Sequence, residues 1–140
     1  MAGIVNYGAY IPMYRLSRTI LAQVWGGGGK GEKAIANWDE DSITMAVEAG
    51  IDCLMGIDRK SVDALYVATT TPPFKEKQSA SIVAAALDLR EDVVASDFGH
   101  SLRSGTLAMK CALDAVKAGS AKRVLVIASD SRIPAPQLRL

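Results

Sequence analysis

The residues from Asp97 to Gly119 constrain this chain more than any other stretch. The run Asp97-Phe98-Gly99-His100-Ser101-Leu102-Arg103-Ser104-Gly105-Thr106 reads as the end of a strand turning sharply into a helix over residues 102–118. Ser101 is placed to cap its first turn and Gly119 to close its last. The charged residues Arg103, Lys110, Asp114 and Lys117 recur at spacings of seven, four and three, so they form one narrow stripe. Leu102, Leu107, Met109, Cys111, Leu113 and Val116, with alanines between them, make up the rest of the surface. A helix that is apolar on nearly every side is buried between layers. In an α/β protein the turn between a strand's carboxyl end and such a helix is where chemistry tends to sit.

The rest of the chain supplies the layers. Residues 3–10 suit a first strand ended by Ile11-Pro12, and residues 17–25 carry Ile20, Leu21, Val24 and Trp25 at helical spacing, with Ser17 as cap. The glycine run at residues 26–31 contains Lys30, which invites comparison with a phosphate-cradling loop. No Ser or Thr follows that lysine, and the glycines follow a helix instead of a strand, so the run reads as a surface loop. Asp39, Glu40 and Asp41 open a helix reaching about Met55, their charges matching the positive end of its dipole. Residues 63–68 form a short apolar run fit for a buried parallel strand, followed by a polar loop, 69–74, that Pro72 and Pro73 keep out of a helix. A helix of small residues spans 78–87, a third interior strand 92–96, and the clearest strand of all 123–128, after which Ser129-Asp130-Ser131-Arg132 leads to Pro134 and Pro136. Alternating strands and helices imply an α/β fold, a largely parallel sheet with helices on both faces. One sheet of this size covers one side of the helix at 102–118, so the chain reads as half of an arrangement completed by a second half or by another chain.

Charge and composition narrow the function. Sixteen Lys and Arg against 15 Asp and Glu, with no basic block, argue against a nucleic-acid or membrane-surface partner. No apolar run is long enough to span a bilayer, and residues 1–10 do not read as a signal peptide. Two cysteines, Cys53 and Cys111, each fall inside a helical pattern, which points to core thiols and a reducing cytoplasm. A single histidine and no Cys or His cluster leave a metal site without support.

Several segments together carry a family likeness: residues 3–12 (Gly-Ile-Val-Asn-Tyr-Gly-Ala-Tyr-Ile-Pro) with Tyr14-Arg15, Val24-Trp25-Gly26, Glu32-Lys33-Ala34, Asp39-Glu40-Asp41, Ala64-Leu65-Tyr66-Val67, Ser79-Ala80-Ser81-Ile82-Val83 and Ser104-Gly105-Thr106. In this order they resemble the amino-terminal half of the thiolase superfamily, in particular archaeal and bacterial 3-hydroxy-3-methylglutaryl-CoA synthases. The resemblance implies that residues 1–140 are one thiolase-like domain, the αβα layers of an αβαβα sandwich whose carboxyl-terminal half is absent. It also explains why the helix at 102–118 is apolar all round, since in that family it lies in the middle layer.

What the resemblance implies for chemistry depends on the residues found at the family's catalytic positions. The synthases acylate a cysteine at the start of the buried helix, where a helix amino terminus stabilises the thiolate. That position is Leu102 here, and leucine cannot carry an acyl group. The family's acid/base glutamate corresponds to Thr70, whose hydroxyl forms hydrogen bonds but is no general acid or base near neutral pH. The family's histidine falls in the absent half. No residue is therefore assigned as catalytic, and His100 is the candidate: two residues before Leu102, it is either a donor or base toward a substrate carbonyl, or a strand-end residue bonded to backbone. Arg103 stands where the family often has lysine, and a first-turn cation there answers a carboxylate or phosphate. Thr70, His100 and Arg103 are the candidate substrate-binding residues. The resemblance further implies a CoA thioester as substrate or ligand, no covalently bound cofactor, a homodimer, and association with a zinc-ribbon/OB-fold acyl-CoA-associated protein and a thiolase. Three functions follow as expectations: aldolase-type carbon–carbon chemistry on acyl-CoA without an acyl-enzyme, an acyl-CoA-binding scaffold subunit, and a genuine hydroxymethylglutaryl-CoA synthase acyltransferase.

Overall fold

The computed structural model describes residues 2–27 and 29–132. Gly28 of the glycine loop, and Pro134 and Pro136, lie outside the described residues. The elements in chain order are β1 (Tyr14–Ser17), α1 (Arg18–Trp25), β2 (Glu32–Ile35), α2 (Ser42–Cys53), β3 (Ala64–Ala68), α3 (Ser79–Ala86), β4 (Val94–Phe98), α4 (Ser104–Ala118) and β5 (Val124–Ala128), with one 3-10 turn at Arg59–Ser61.

Three strands form the expected parallel sheet, in the order β4-β3-β5. Leu65 is in register with Ala95 and Leu125, and Val67 with Asp97 and Ile127. Side chains alternate across a strand, and this row joins Ile43, Ala46, Ala80, Val83 and Leu87 of α2, α3 and the residue after α3 in the hydrophobic core. The opposite row, with Tyr66, Phe98 and Ala128, faces α4, and the Tyr66 and Phe98 rings meet with centroids 5.3 Å apart. Helices therefore cover both faces. α2 starts where its acidic run suggests: the Asp41 side chain accepts from the Ile43 and Thr44 amides while Thr44 Oγ1 accepts from the Asp41 amide, a complete capping box.

Several expectations differ from the structure. Residues 3–10 form no strand; they run along the carboxyl end of α2, with Asn6 Nδ2 donating to the Cys53 carbonyl at 2.7 Å and the Ala9 amide to Asp52 Oδ2 at 2.9 Å. Gly8 passes so close that a β-carbon there would sit 2.3 Å from the Cys53 nitrogen. The first strands are instead β1 and β2, an antiparallel pair either side of α1, and Ser17 ends β1 without making a side-chain cap bond. α2 ends at Cys53, short of Met55, and the third interior strand runs to Phe98, past Ser96. α4 begins at Ser104, so Leu102 lies in the preceding turn.

The cover of α4 is one-sided, as expected for a single sheet. Ser104, Ala108 and Ala112 pack onto the sheet, while Leu107, Met109 and Leu113 are 54%, 47% and 39% exposed. The reason is the one sheet: among the described residues no second layer covers the outer side. Gly119 closes the helix as expected, left-handed at φ 78°, its amide bonded to the Ala115 and Val116 carbonyls.

Candidate functional site

Three loops leave the carboxyl ends of the parallel strands and are tied together at their roots. The Thr69 amide donates to the Phe98 carbonyl at 3.0 Å, and the Ser129 amide to the Ala68 carbonyl at 3.0 Å. The ladder is thus extended by one residue on each side of β3, and the loops begin level with one another.

Between the β3 and β5 loops a carboxylate gathers three consecutive threonines. Asp130 Oδ1 accepts from the Thr70 amide at 2.6 Å and from the hydroxyls of Thr70 at 3.0 Å, Thr69 at 3.1 Å and Thr71 at 3.2 Å. Thr69 Oγ1 in turn accepts from the Thr71 amide at 3.1 Å, and Thr71 Oγ1 from the Ser131 amide at 2.9 Å. The Thr71 carbonyl receives the hydroxyl of buried Ser42 at 2.8 Å, which fastens the loop to the start of α2. Partial burial of Asp130 works to raise its pKa, but the Thr70 amide and the three hydroxyls outweigh it and hold the carboxyl below the usual carboxylate range. All four bonds reach the same oxygen; Oδ2 accepts none among the described residues.

The β4 loop supplies a differently built part. His100 adopts a left-handed backbone at φ 64°, which few side chains accept without cost. The chain reverses there, and Ser104 Oγ donates back to the Gly99 and Ser101 carbonyls at 3.1 and 2.7 Å. Ser101 Oγ accepts the Arg103 amide at 3.2 Å, so Ser101 folds the turn, while Arg103 occupies the helix cap position with no side-chain cap bond. The early-turn donors of α4 are consequently not closed off by a capping side chain. Leu102 stands in this turn, 78% exposed. His100 and Arg103 are exposed and enter none of the ion pairs formed among the described residues.

The candidate residues thus fall into two groups. Thr70 is bound to Asp130; His100, Leu102 and Arg103 share the next loop, which is joined to the first group by the backbone hydrogen bond from Thr69 to Phe98. An open concavity of about 640 Å³ lies beside the first group, lined by Tyr14, Ile35, Asn37, Trp38, Glu40 and Ser131. Neither Leu102, His100, Thr70 nor Arg103 lines it. Within it the Glu40 carboxylate accepts the Tyr10 hydroxyl and, at 2.6 Å, the Asn37 amide; these bonds lower the Glu40 pKa, and the bond to Glu40 raises that of Tyr10.

Asp130 is the residue the sequence reading passed over, although an acidic side chain two residues beyond the clearest strand sits where α/β folds place ligands. Both cysteines are half-buried and free, and burial, with Asp52 beside it, raises the Cys53 thiol. Among the described residues no group of His, Cys, Asp and Glu is arranged to hold a metal, and no helix is long and apolar enough to cross a membrane.

Known proteins resemble this chain over almost all of its length. The hydroxymethylglutaryl-CoA synthase of Methanocaldococcus jannaschii is 38% identical across 97% of the chain and 42% of its own length. That of Thermococcus sibiricus is 37% identical across 92% of the chain and 38% of its own. Among solved structures, MvaS in complex with 3-hydroxy-3-methylglutaryl coenzyme A superposes with a TM-score of 0.87 at 24% identity, covering 97% of this chain and 35% of that one. The 3-oxoacyl-[acyl-carrier-protein] synthase III of Aquifex aeolicus superposes with a TM-score of 0.81 at 27% identity, covering 89% and 43%. No family model matches. The chain spans about two fifths of the length of these synthases.

Proposed function

Starting from a chain that corresponds to the amino-terminal part of hydroxymethylglutaryl-CoA synthase-like, thiolase-fold proteins, we propose that the whole protein binds acyl-CoA thioesters and acts on them without forming an acyl-enzyme. One observation carries this reading: an aliphatic side chain, Leu102, occupies the exposed turn at the start of α4 where the resemblance puts the nucleophile. A hydrocarbon there removes covalent catalysis but leaves the thioester-facing turn, with His100 and Arg103 as donors toward carbonyl and phosphate oxygens. Thr70 positions a carboxylate instead of being one. Such a site suits aldol or retro-aldol chemistry, in which a base and a stabilised enolate suffice. The expected substrate is a β-hydroxyacyl-CoA, with no group held covalently on the protein.

A subunit that holds acyl-CoA for another enzyme is the second reading, favoured by the same loss of reactive side chains at positions 70 and 102. A homodimer, and association with a zinc-ribbon/OB-fold acyl-CoA-associated protein or a thiolase, belong to both readings. The full-length protein is incubated with 3-hydroxy-3-methylglutaryl-CoA and 3-hydroxybutyryl-CoA, and the thioesters are separated by chromatography. Appearance of a shorter acyl-CoA with its carbonyl co-product supports the first reading. Thioester binding with no turnover supports the second, and neither binding nor turnover contradicts both.

A further inference from the structure

We propose that Asp130 supplies, through Oδ2, the base for carbon–carbon bond cleavage at this site, in place of a carboxylate at position 70. The inference rests on the retro-aldol reading above and adds the group that moves the proton. The loops at the carboxyl ends of β3, β4 and β5 bring together residues 69–74, 99–103 and 129–132, and Asp130 is the one acidic residue in all of them. Its carboxylate is oriented by four hydrogen bonds, every one of them on Oδ1. The donors are an amide and three hydroxyls from three successive residues, themselves braced by the Thr71 and Ser131 amides, so the group has little freedom to turn. Asp130 is exposed, and the next residue, Ser131, lines the concavity of about 640 Å³. Oδ1 takes all four of these bonds, and among the described residues Oδ2 accepts none, on a residue that is itself exposed.

Oδ2 takes the proton of the substrate's β-hydroxyl; the bond between the α- and β-carbons breaks; the oxygen's electron pair forms the new carbonyl. The pair from the broken bond becomes the enolate of the shorter thioester. The protonated carboxyl then returns the proton to the α-carbon, and the starting state is restored. The same hydrogen bonds that keep Asp130 ionised make it a weaker base, so its contribution comes from fixed position more than from basicity.

The test uses Asp130→Asn and Asp130→Glu in the full-length protein, with 3-hydroxy-3-methylglutaryl-CoA and 3-hydroxybutyryl-CoA as probes. Asn keeps an acceptor for the three threonines, so a structural role survives the change while a proton-transfer role does not. The expected result is a loss in kcat of about 10²-fold or more, with KM little moved, and partial recovery in Asp130→Glu. Deuterium from heavy water should enter the α-carbon of the shorter thioester with wild type and fail to do so with Asp130→Asn. The wild-type rate should hold from neutral pH down through about pH 6.5, where a histidine base would lose its activity. Turnover by Asp130→Asn at the wild-type rate, or an acid limb in the ordinary histidine range, overturns the assignment and leaves the retro-aldol reading standing. Absence of turnover in wild type overturns both.

Discussion

Replacing Asp97 with alanine measures how much of the fold depends on one side chain reaching across from sheet to helix. Asp97 Oδ2 accepts the Ser79 amide at 2.7 Å, and Oδ1 accepts the Ala80 amide at 2.7 Å. These are the first residues of α3, and Gln78, its cap residue, makes no side-chain cap bond. Ser79 and Ala80 are 1% and 0% exposed, whereas Asp97 is exposed, so water replaces the carboxylate only in part. An unpaired buried donor costs about 1–3 kcal/mol. Asp97 itself lies on the edge strand, where some water enters, which places the sum for two donors at about 2–3 kcal/mol. Asp97→Asn keeps one acceptor oxygen and loses roughly half of that. With a urea dependence of about 1–3 kcal/mol per molar, the unfolding midpoint followed by circular dichroism should fall by about 1 M in Asp97→Ala. The same helical turn supplies a control of opposite sign. Ser79 Oγ is buried with no hydrogen-bond partner among the described residues, so Ser79→Ala should leave stability unchanged or raise it by up to about 1 kcal/mol. A shift under about 0.2 M for Asp97→Ala, equivalent to a few tenths of a kcal/mol, would refute the capping role.

Gly8→Ala places a methyl group against the backbone of α2, 2.3 Å from the Cys53 nitrogen and 2.8 Å from the Ala49 carbonyl oxygen, neither of which can yield. The segment before β1 should lift off, and limited proteolysis should cut ahead of Tyr14 faster than in wild type, with the core unaffected. Asp63 tests the acid side of stability: the Lys122 and Arg123 amides, assisted by Arg90, hold its carboxyl below the ordinary range. A depressed folded pKa contributes stability that is present above the unfolded value, about 3.9, and is lost as pH falls through the folded one. Urea midpoints measured downward from pH 5 should therefore fall less steeply in Asp63→Asn than in wild type.

Strands and helices whose burial is decided locally were legible. Residues 64–68 and 124–128 are short continuous apolar runs, and both are parallel strands. The acidic run at 39–41 marked the start of α2 through one cap residue. Residues 3–10 misled because they are largely apolar yet have no partner strand; the Asn6 side chain and the Ala9 amide bond to the end of α2, a tertiary contact with no local mark. β2, Glu-Lys-Ala-Ile, was invisible for the opposite reason, since an exposed two-stranded pair carries little hydrophobic pattern. Thr70 and Leu102 stood out because the resemblance supplied positions to compare. Asp130 did not, because its partners lie about 60 residues earlier and meet it only when β3 and β5 align.

Everything proposed about chemistry depends on position 102, a leucine, offering no atom that can be acylated. Intact-mass spectrometry of the full-length protein after incubation with acetyl-CoA tests this most directly. The mass of wild type should be unchanged. A stoichiometric acetyl adduct, mapped by peptide digestion to any residue of this chain, would contradict it.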